Sequence, residues 1–135
     1  MLKKVALVLG LFALSLASLS FNVAVHELGH FAVAEYFGLN PKINFESGMG
    51  FIWNSEPIAY TSYAGGTRIE DIFISVAGPL ANFSILILSV FFYRINKNFH
   101  IRLMLLALII TAALSIVSNM FPSGGSDGEA LLALI

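Results

Sequence analysis

Residues 21–34 read Phe21-Asn22-Val23-Ala24-Val25-His26-Glu27-Leu28-Gly29-His30-Phe31-Ala32-Val33-Ala34. Two histidines and a glutamate interrupt an otherwise almost wholly apolar run. On a helix, residues i and i+4 project from one face about a turn apart. His26 and His30 can therefore present two imidazole nitrogens to one metal ion, and Glu27 beside them can take a proton from a water that the metal activates. The apolar flanks suit a helix that faces lipid. An ionisable side chain in such a helix costs about 2.5–3.5 kcal/mol on insertion scales, so its presence points to function.

Composition agrees with a lipid surround. The chain has 135 residues, of which 58% are hydrophobic and 11% charged, and its mean hydropathy is +0.86. A soluble domain is nearer about 45–50% apolar and about 25% charged. The excess is expected to form one integral, multi-pass membrane domain spanning residues 1–135. A net charge of −1 and the absence of a basic stripe argue against nucleic acid as a partner. With no cysteine, disulfides and thiolate ligands are excluded, which leaves histidine and carboxylate for any metal.

Working outward, the first predicted helix covers residues 5–37 and stops at Gly38 and Pro41. Its 33 residues would span roughly 50 Å at about 1.5 Å each, more than the ~30 Å of bilayer hydrocarbon. It should tilt, project, or break near Ser15–Asn22. Lys3-Lys4, the apolar run and Ala17-Ser18-Leu19-Ser20 also resemble a secretory signal peptide. Cleavage there would leave too little apolar helix before His26 to cross a membrane.

Residues 39–68 mix alternating apolar positions (Ile43, Phe45; Ile58, Tyr60) with turn signals at Ser47–Gly50 and Asn54–Pro57, and are predicted as short strands or a β-hairpin. Thr67-Arg68-Ile69-Glu70 reads as a capping box opening a second helix over 69–93, with Gly78-Pro79 as a kink or close-packing point. Arg94, Lys97, His100 and Arg102 read as a polar connection. A third helix follows over about 101–120, with Ala107, Thr111, Ala112, Ser115 and Asn119 as a small or polar stripe. Residues 121–128 form a Pro/Gly break, and 129–135 a helical stub. The fold class is a membrane all-α protein with three transmembrane helices and a small β element between the first two.

Charge sets an orientation. If three helices cross, Lys3, Lys4, Arg94, Lys97 and Arg102 fall on one side and Lys42 and Arg68 on the other, so the N-terminus is expected in the cytoplasm. His26 and Asp127 then lie toward the same, opposite side.

Zinc catalysis needs three protein ligands and one open position. His26 and His30 supply two. Asp127, after the Pro/Gly break, is the expected third, because irregular backbone is tolerated within a membrane where it lines a polar cavity. Glu27 is the expected general base. Asn119 is placed to donate to a substrate backbone or oxyanion. Blander readings stand beside these. The histidines could glue helices together without metal. Asp127 could be the N-cap of the terminal stub, and Asn119 could cap its own helix. Glu129 is a rival ligand. Trp53, Tyr60 and Tyr63 read as interfacial anchors, and Glu46, Glu56, Glu70 and Asp71 as solvated or capping charges.

Three motifs in order carry a family resemblance. His26, Glu27 and His30 match His-Glu-x-x-His; Gly78 and Asn82 match Gly-x-x-x-Asn; Asn119, Pro122, Asp127 and Gly128 match Asn-x-x-Pro followed, after four intervening residues, by Asp-Gly. The chain thus resembles the site-2 proteases, the intramembrane zinc metalloproteases, over residues 21–130. The resemblance implies a three-helix metalloprotease core holding one Zn2+ per chain on His26, His30 and Asp127, with Gly78, Asn82 and Pro122 packing near the site. It implies cleavage of a transmembrane segment of another membrane protein, which must first unwind. Residues 43–63 would then pair with the unwound strand. A catalytically silent membrane-protein-binding relative is the alternative. Two features depart from the family. Gly124-Gly125-Ser126 replaces a frequent second proline and leucine, implying a more flexible ligand loop. The chain also stops seven residues after Gly128, where relatives usually continue, as a truncated chain or an unusually short member would. Many relatives turn the site toward the cytosol, whereas the charge count points the other way.

Overall fold

The computed structural model describes residues 2–45, 59–122 and 125–135. In chain order these form α1 (Leu2–Tyr36), β1 (Lys42–Phe45), β2 (Ala59–Ser62), α2 (Arg68–Ile95), α3 (Phe99–Met120) and α4 (Asp127–Leu134). Helices α1, α2 and α3 are each long and apolar enough to cross a membrane. They run up, down and up: His30 of α1 meets Ile74 of α2, His26 meets Asn82 further along, and Asn82 meets Ser115 of α3.

Helix α1 is unbroken for 35 residues, so of the three alternatives (tilt, projection or a break near Ser15–Asn22) the break does not occur. It carries no proline, and Asn22 keeps its side chain on the helix by donating to Ser18 O at 2.9 Å. The helix closes as predicted at Gly38, where Leu39 N donates to Ala34 O at 3.0 Å. The capping box at Thr67 is present in full: Glu70 N donates to Thr67 Oγ1 and Thr67 N to Glu70 Oε2. Helix α2 runs slightly beyond its predicted 69–93. Helix α3 starts before residue 101 because the Asn98 side chain accepts from His100 N (2.9 Å) and Ile101 N (3.3 Å). His100 and Arg102 therefore belong to its first turn rather than to a connection.

The packing is inverted relative to a water-soluble bundle. The two largest fully buried side chains are Asn22 and Asn82, whereas Phe12 (62%), Phe73 (58%) and Leu114 (63%) are exposed on the outer faces. Asn22 also donates to Thr111 Oγ1 at 2.8 Å, joining α1 to α3. Such interhelical bonds contribute about 0.6 kcal/mol on average in a membrane.

The strands pair antiparallel, with Lys42 opposite Ser62 and Phe45 opposite Ala59. This agrees with the predicted small β element; its turn signals, Trp53, Glu46, Glu56 and Ile58 lie outside the described residues, as do Ser123 and Gly124 of the ligand loop. The sheet is seated on the helices. Ala64 N donates to Leu39 O (3.2 Å), and the Tyr63 hydroxyl donates to Asp71 Oδ1 of α2 (3.1 Å). Burial, and then the Asp71 carboxylate, push the Tyr63 phenol up to about 12.

Candidate metal centre

His26 and His30 extend from the buried face of α1 toward α2, and their Nε2 atoms lie 3.0 Å apart. Asp127 completes the triangle: Oδ2 is 2.9 Å from His26 Nε2 and Oδ1 is 3.2 Å from His30 Nε2. Four ligands at about 2.0–2.1 Å around a tetrahedral ion stand about 3.3 Å from one another. The three donors thus converge at nearly the spacing such an ion requires. These are also ion-pair distances, and Asp127 Oδ2 is buried with no aligned hydrogen bond. The donor set fits zinc by geometry and by its nitrogen and oxygen chemistry.

Local structure explains the convergence. Gly78 of α2 lies directly beneath the rings; a methyl there would sit 2.7 Å from His26 Cε1 and 2.7 Å from His30 Cε1. Its missing side chain is the space the imidazoles occupy. The adjacent Pro79 lacks the N–H that would bond Ser75 O. On the same inner stretch, Ile74 O lies 2.6 Å from His30 Nδ1. A carbonyl only accepts, so Nδ1 carries the proton and Nε2 keeps its lone pair toward the site.

Asn82 is the partner of His26. Its Nδ2 lies 3.3 Å from His26 Nδ1 and donates to Ser115 Oγ at 2.7 Å, while Oδ1 is buried without a partner. A metal on His26 Nε2 requires the proton on Nδ1, which the amide would meet by turning Oδ1 toward the ring.

Asp127 arrives from the opposite end of the sequence on a tied loop. Ser126, not Asp127, is the N-cap of α4: its hydroxyl accepts from Glu129 N at 3.2 Å and donates to Phe121 O at 2.8 Å. The reading of Asp127 as the cap is therefore corrected, and α4 starts at Asp127 rather than 129. Gly128 packs so closely on the Met120 carbonyl that a side chain would overlap it. The Glu129 carboxylate accepts from Gly125 N at 2.7 Å, which removes it as a rival ligand. Arg68 closes the other end of α4 by donating to Ile135 O (2.9 Å) and to Leu134 O. Burial alone would raise Asp127, but its contacts with His26 and then His30 outweigh it and hold the carboxyl below the usual carboxylate range.

Glu27 is buried beside the triangle, and with His26 and His30 it forms a group that could hold a metal ion, their ligand atoms lying within 4.8 Å of one another. Asp127 stands at 2.9 and 3.2 Å from the two Nε2 atoms and so offers a third donor, with Glu27 beside it. Thr61 of β2 donates to Glu27 Oε2 at 2.8 Å, so the sheet fixes the carboxylate. All four side chains, with Thr61 and Asn119, line one cavity of about 230 Å³. Asn119 does not cap α3, whose C-cap is Phe121. Its Nδ2 donates to Ser115 O at 2.9 Å and lies 3.2 Å from Ser115 Oγ, so donation to a substrate requires it to leave one of these contacts. Sequence reasoning missed Thr61 and the Ile74 carbonyl and took Asn82 only as a packing residue. No local signal marks Thr61 or Ile74, whereas an asparagine in an apolar helix was itself a flag.

No protein-family model, curated protein or solved structure matches this chain.

Proposed function

We propose that this chain is an intramembrane zinc metalloendopeptidase that cuts peptide bonds in or near transmembrane segments of other membrane proteins. The observation that carries the reading is the meeting of His26 Nε2, His30 Nε2 and the Asp127 carboxylate within 2.9–3.2 Å, with Glu27 alongside. A second support is the exposure of large apolar side chains along all three long helices.

Zinc held by such a set acts as a Lewis acid on a carbonyl and makes water nucleophilic at neutral pH. Glu27, oriented by Thr61, accepts the proton of the attacking water and returns it to the leaving amine. Ile74 O holds His30 in the tautomer that directs Nε2 inward, and Asn82 fixes the His26 ring at Nδ1. Gly78, beneath the imidazoles, stands 10 residues from the start of α2 at Arg68 and 17 from its end at Ile95, or roughly 15 and 25 Å at about 1.5 Å per residue. The site thus lies nearer the end of the bundle that carries β1, β2 and α4. An unwound substrate segment can reach it from that end, and the cavity opens beside β2.

The test is cleavage of a co-expressed single-pass membrane substrate by the wild type and by Glu27→Gln. The reading expects one zinc in each protein and cleavage only by the wild type. Undiminished cleavage by Glu27→Gln contradicts the assigned base. Capture of the substrate by the wild type without cleavage would favour a silent binding protein.

A further inference from the structure

The end of the bundle away from the metal centre carries a second cavity, of about 400 Å³, lined by Tyr93, Lys97, Phe99, Arg102, Leu103 and Leu106. We propose that it binds the phosphate headgroup of an anionic phospholipid. The inference rests on the membrane part of the reading above and not on its chemistry.

The first argument is charge. No acidic residue occurs in residues 1–26 or 72–126, so neither the N-terminal part of α1 nor any part of α2 beyond Asp71, the α2–α3 loop or α3 supplies a carboxylate. Arg94, Lys97 and Arg102 make no ion pair among the described residues. Lys97 and Arg102 point into the same cavity, and Arg102 Cζ stands 4.5 Å from the centroid of the Tyr93 ring. The ring holds the guanidinium by cation–π attraction without neutralising it. Two unpaired cations, one of them held against a ring, and no carboxylate on these elements favour an anion over a zwitterion.

The second argument is the shape of the wall. Phe99, Arg102, Leu103 and Leu106 fall at i, i+3, i+4 and i+7, one face of α3. Lys97 lies just before the helix and Arg102 in its first turn, with Leu103 next to Arg102 and Leu106 a turn further into the apolar span. Phe92 (48%) and Met104 (54%) are exposed close by. A headgroup at Lys97 and Arg102 therefore leaves an acyl chain to run along Leu103 and Leu106. A free phosphate has no use for that apolar wall. Basic pockets between membrane helices on the side favoured by positive charge are suited to anionic lipid.

Native mass spectrometry of the full chain in detergent, with equal phosphatidylglycerol and phosphatidylcholine, tests this. One phosphatidylglycerol should be retained in preference to phosphatidylcholine, and excess inorganic phosphate should not displace it. Lys97→Ala with Arg102→Ala should reduce retention about thirtyfold, the equivalent of about 1 kcal/mol for each basic residue. Arg94→Ala, on the same surface but outside the cavity, should leave it unchanged. Equal retention of the two lipids by the wild type overturns the proposal without reference to any variant. An equal loss in Arg94→Ala overturns it in favour of diffuse attraction, and displacement by phosphate overturns it in favour of a free anion. Partition between detergent and water separates the premise: a chain that stays in water overturns the membrane reading too, whereas one that enters detergent without lipid preference overturns the lipid site alone.

Discussion

The two ends of the same three long helices solve opposite problems with charge. At one end, two histidines, an aspartate and a glutamate are drawn within a few ångströms and shielded, each with a dedicated partner: Ile74 O for His30, Asn82 for His26, Thr61 for Glu27 and a capped helix start for Asp127. At the other, Arg94, Lys97 and Arg102 are exposed and meet no carboxylate among the described residues. A buried charge persists only where partners offset its desolvation, while an exposed one is kept cheaply and remains available to something outside the chain. The chain concentrates its hydrogen bonds at the candidate metal site and leaves the other end to its surroundings.

Substitutions can break this contrast at either end. The largest effect is expected from Asp127→Ala or His26→Ala. Each should lower zinc affinity by more than the roughly 10–100-fold that loss of an outer partner costs, as read by competition with a chromogenic chelator. Asn82→Leu removes such an outer partner, so a fall of about 10–100-fold is expected, and Asn82→Asp, which keeps an acceptor for His26 Nδ1–H, should recover much of it. If Asn82→Leu binds zinc as the wild type does, Asn82 serves packing alone. Gly78→Ala should destabilise the fold by about 1–3 kcal/mol through overpacking against both rings, measured by denaturant unfolding in detergent. Lys97→Ala with Arg102→Ala should leave zinc stoichiometry untouched, which separates the two ends.

The smallest expected effect concerns the seat of the sheet. Tyr63 is raised to about 12 by burial and by Asp71, against about 10 for a free phenol. A raised value in the folded state means that its contribution to stability is complete below about pH 10 and is lost as the pH rises toward 12. Ultraviolet titration should find Tyr63 ionising late in the wild type and earlier in Asp71→Asn.

The helices were legible because length and hydropathy are local properties, and the Thr67–Glu70 capping box was read correctly because its four residues are contiguous. The start of α3 was misread because Arg94 to Arg102 were taken as a loop, although long basic side chains reach outward from a helix end without breaking it. The cap of α4 was readable: Ser126-Asp127-Gly128-Glu129 has the Ser-x-x-Glu spacing of an N-terminus, and attention to Asp127 as the polar residue hid Ser126. His26 and His30 were visible from their spacing alone. Asp127 was indicated by the Pro/Gly break before it and by its spacing from Asn119 and Pro122. Thr61 and Ile74 were not legible at all. Their contacts depend on the antiparallel register of α1 with α2 and on where the sheet comes to rest, and both are set by packing between residues 34 and 44 positions apart.

The central claim is most directly tested by zinc X-ray absorption on the purified chain at neutral pH, beside Asp127→Ala. The account predicts one zinc per wild-type chain, with two imidazole nitrogens and a carboxylate oxygen among its ligands, and loss of that signature in the variant. A wild-type chain that binds no zinc, or one whose coordination is unchanged without Asp127, would contradict it.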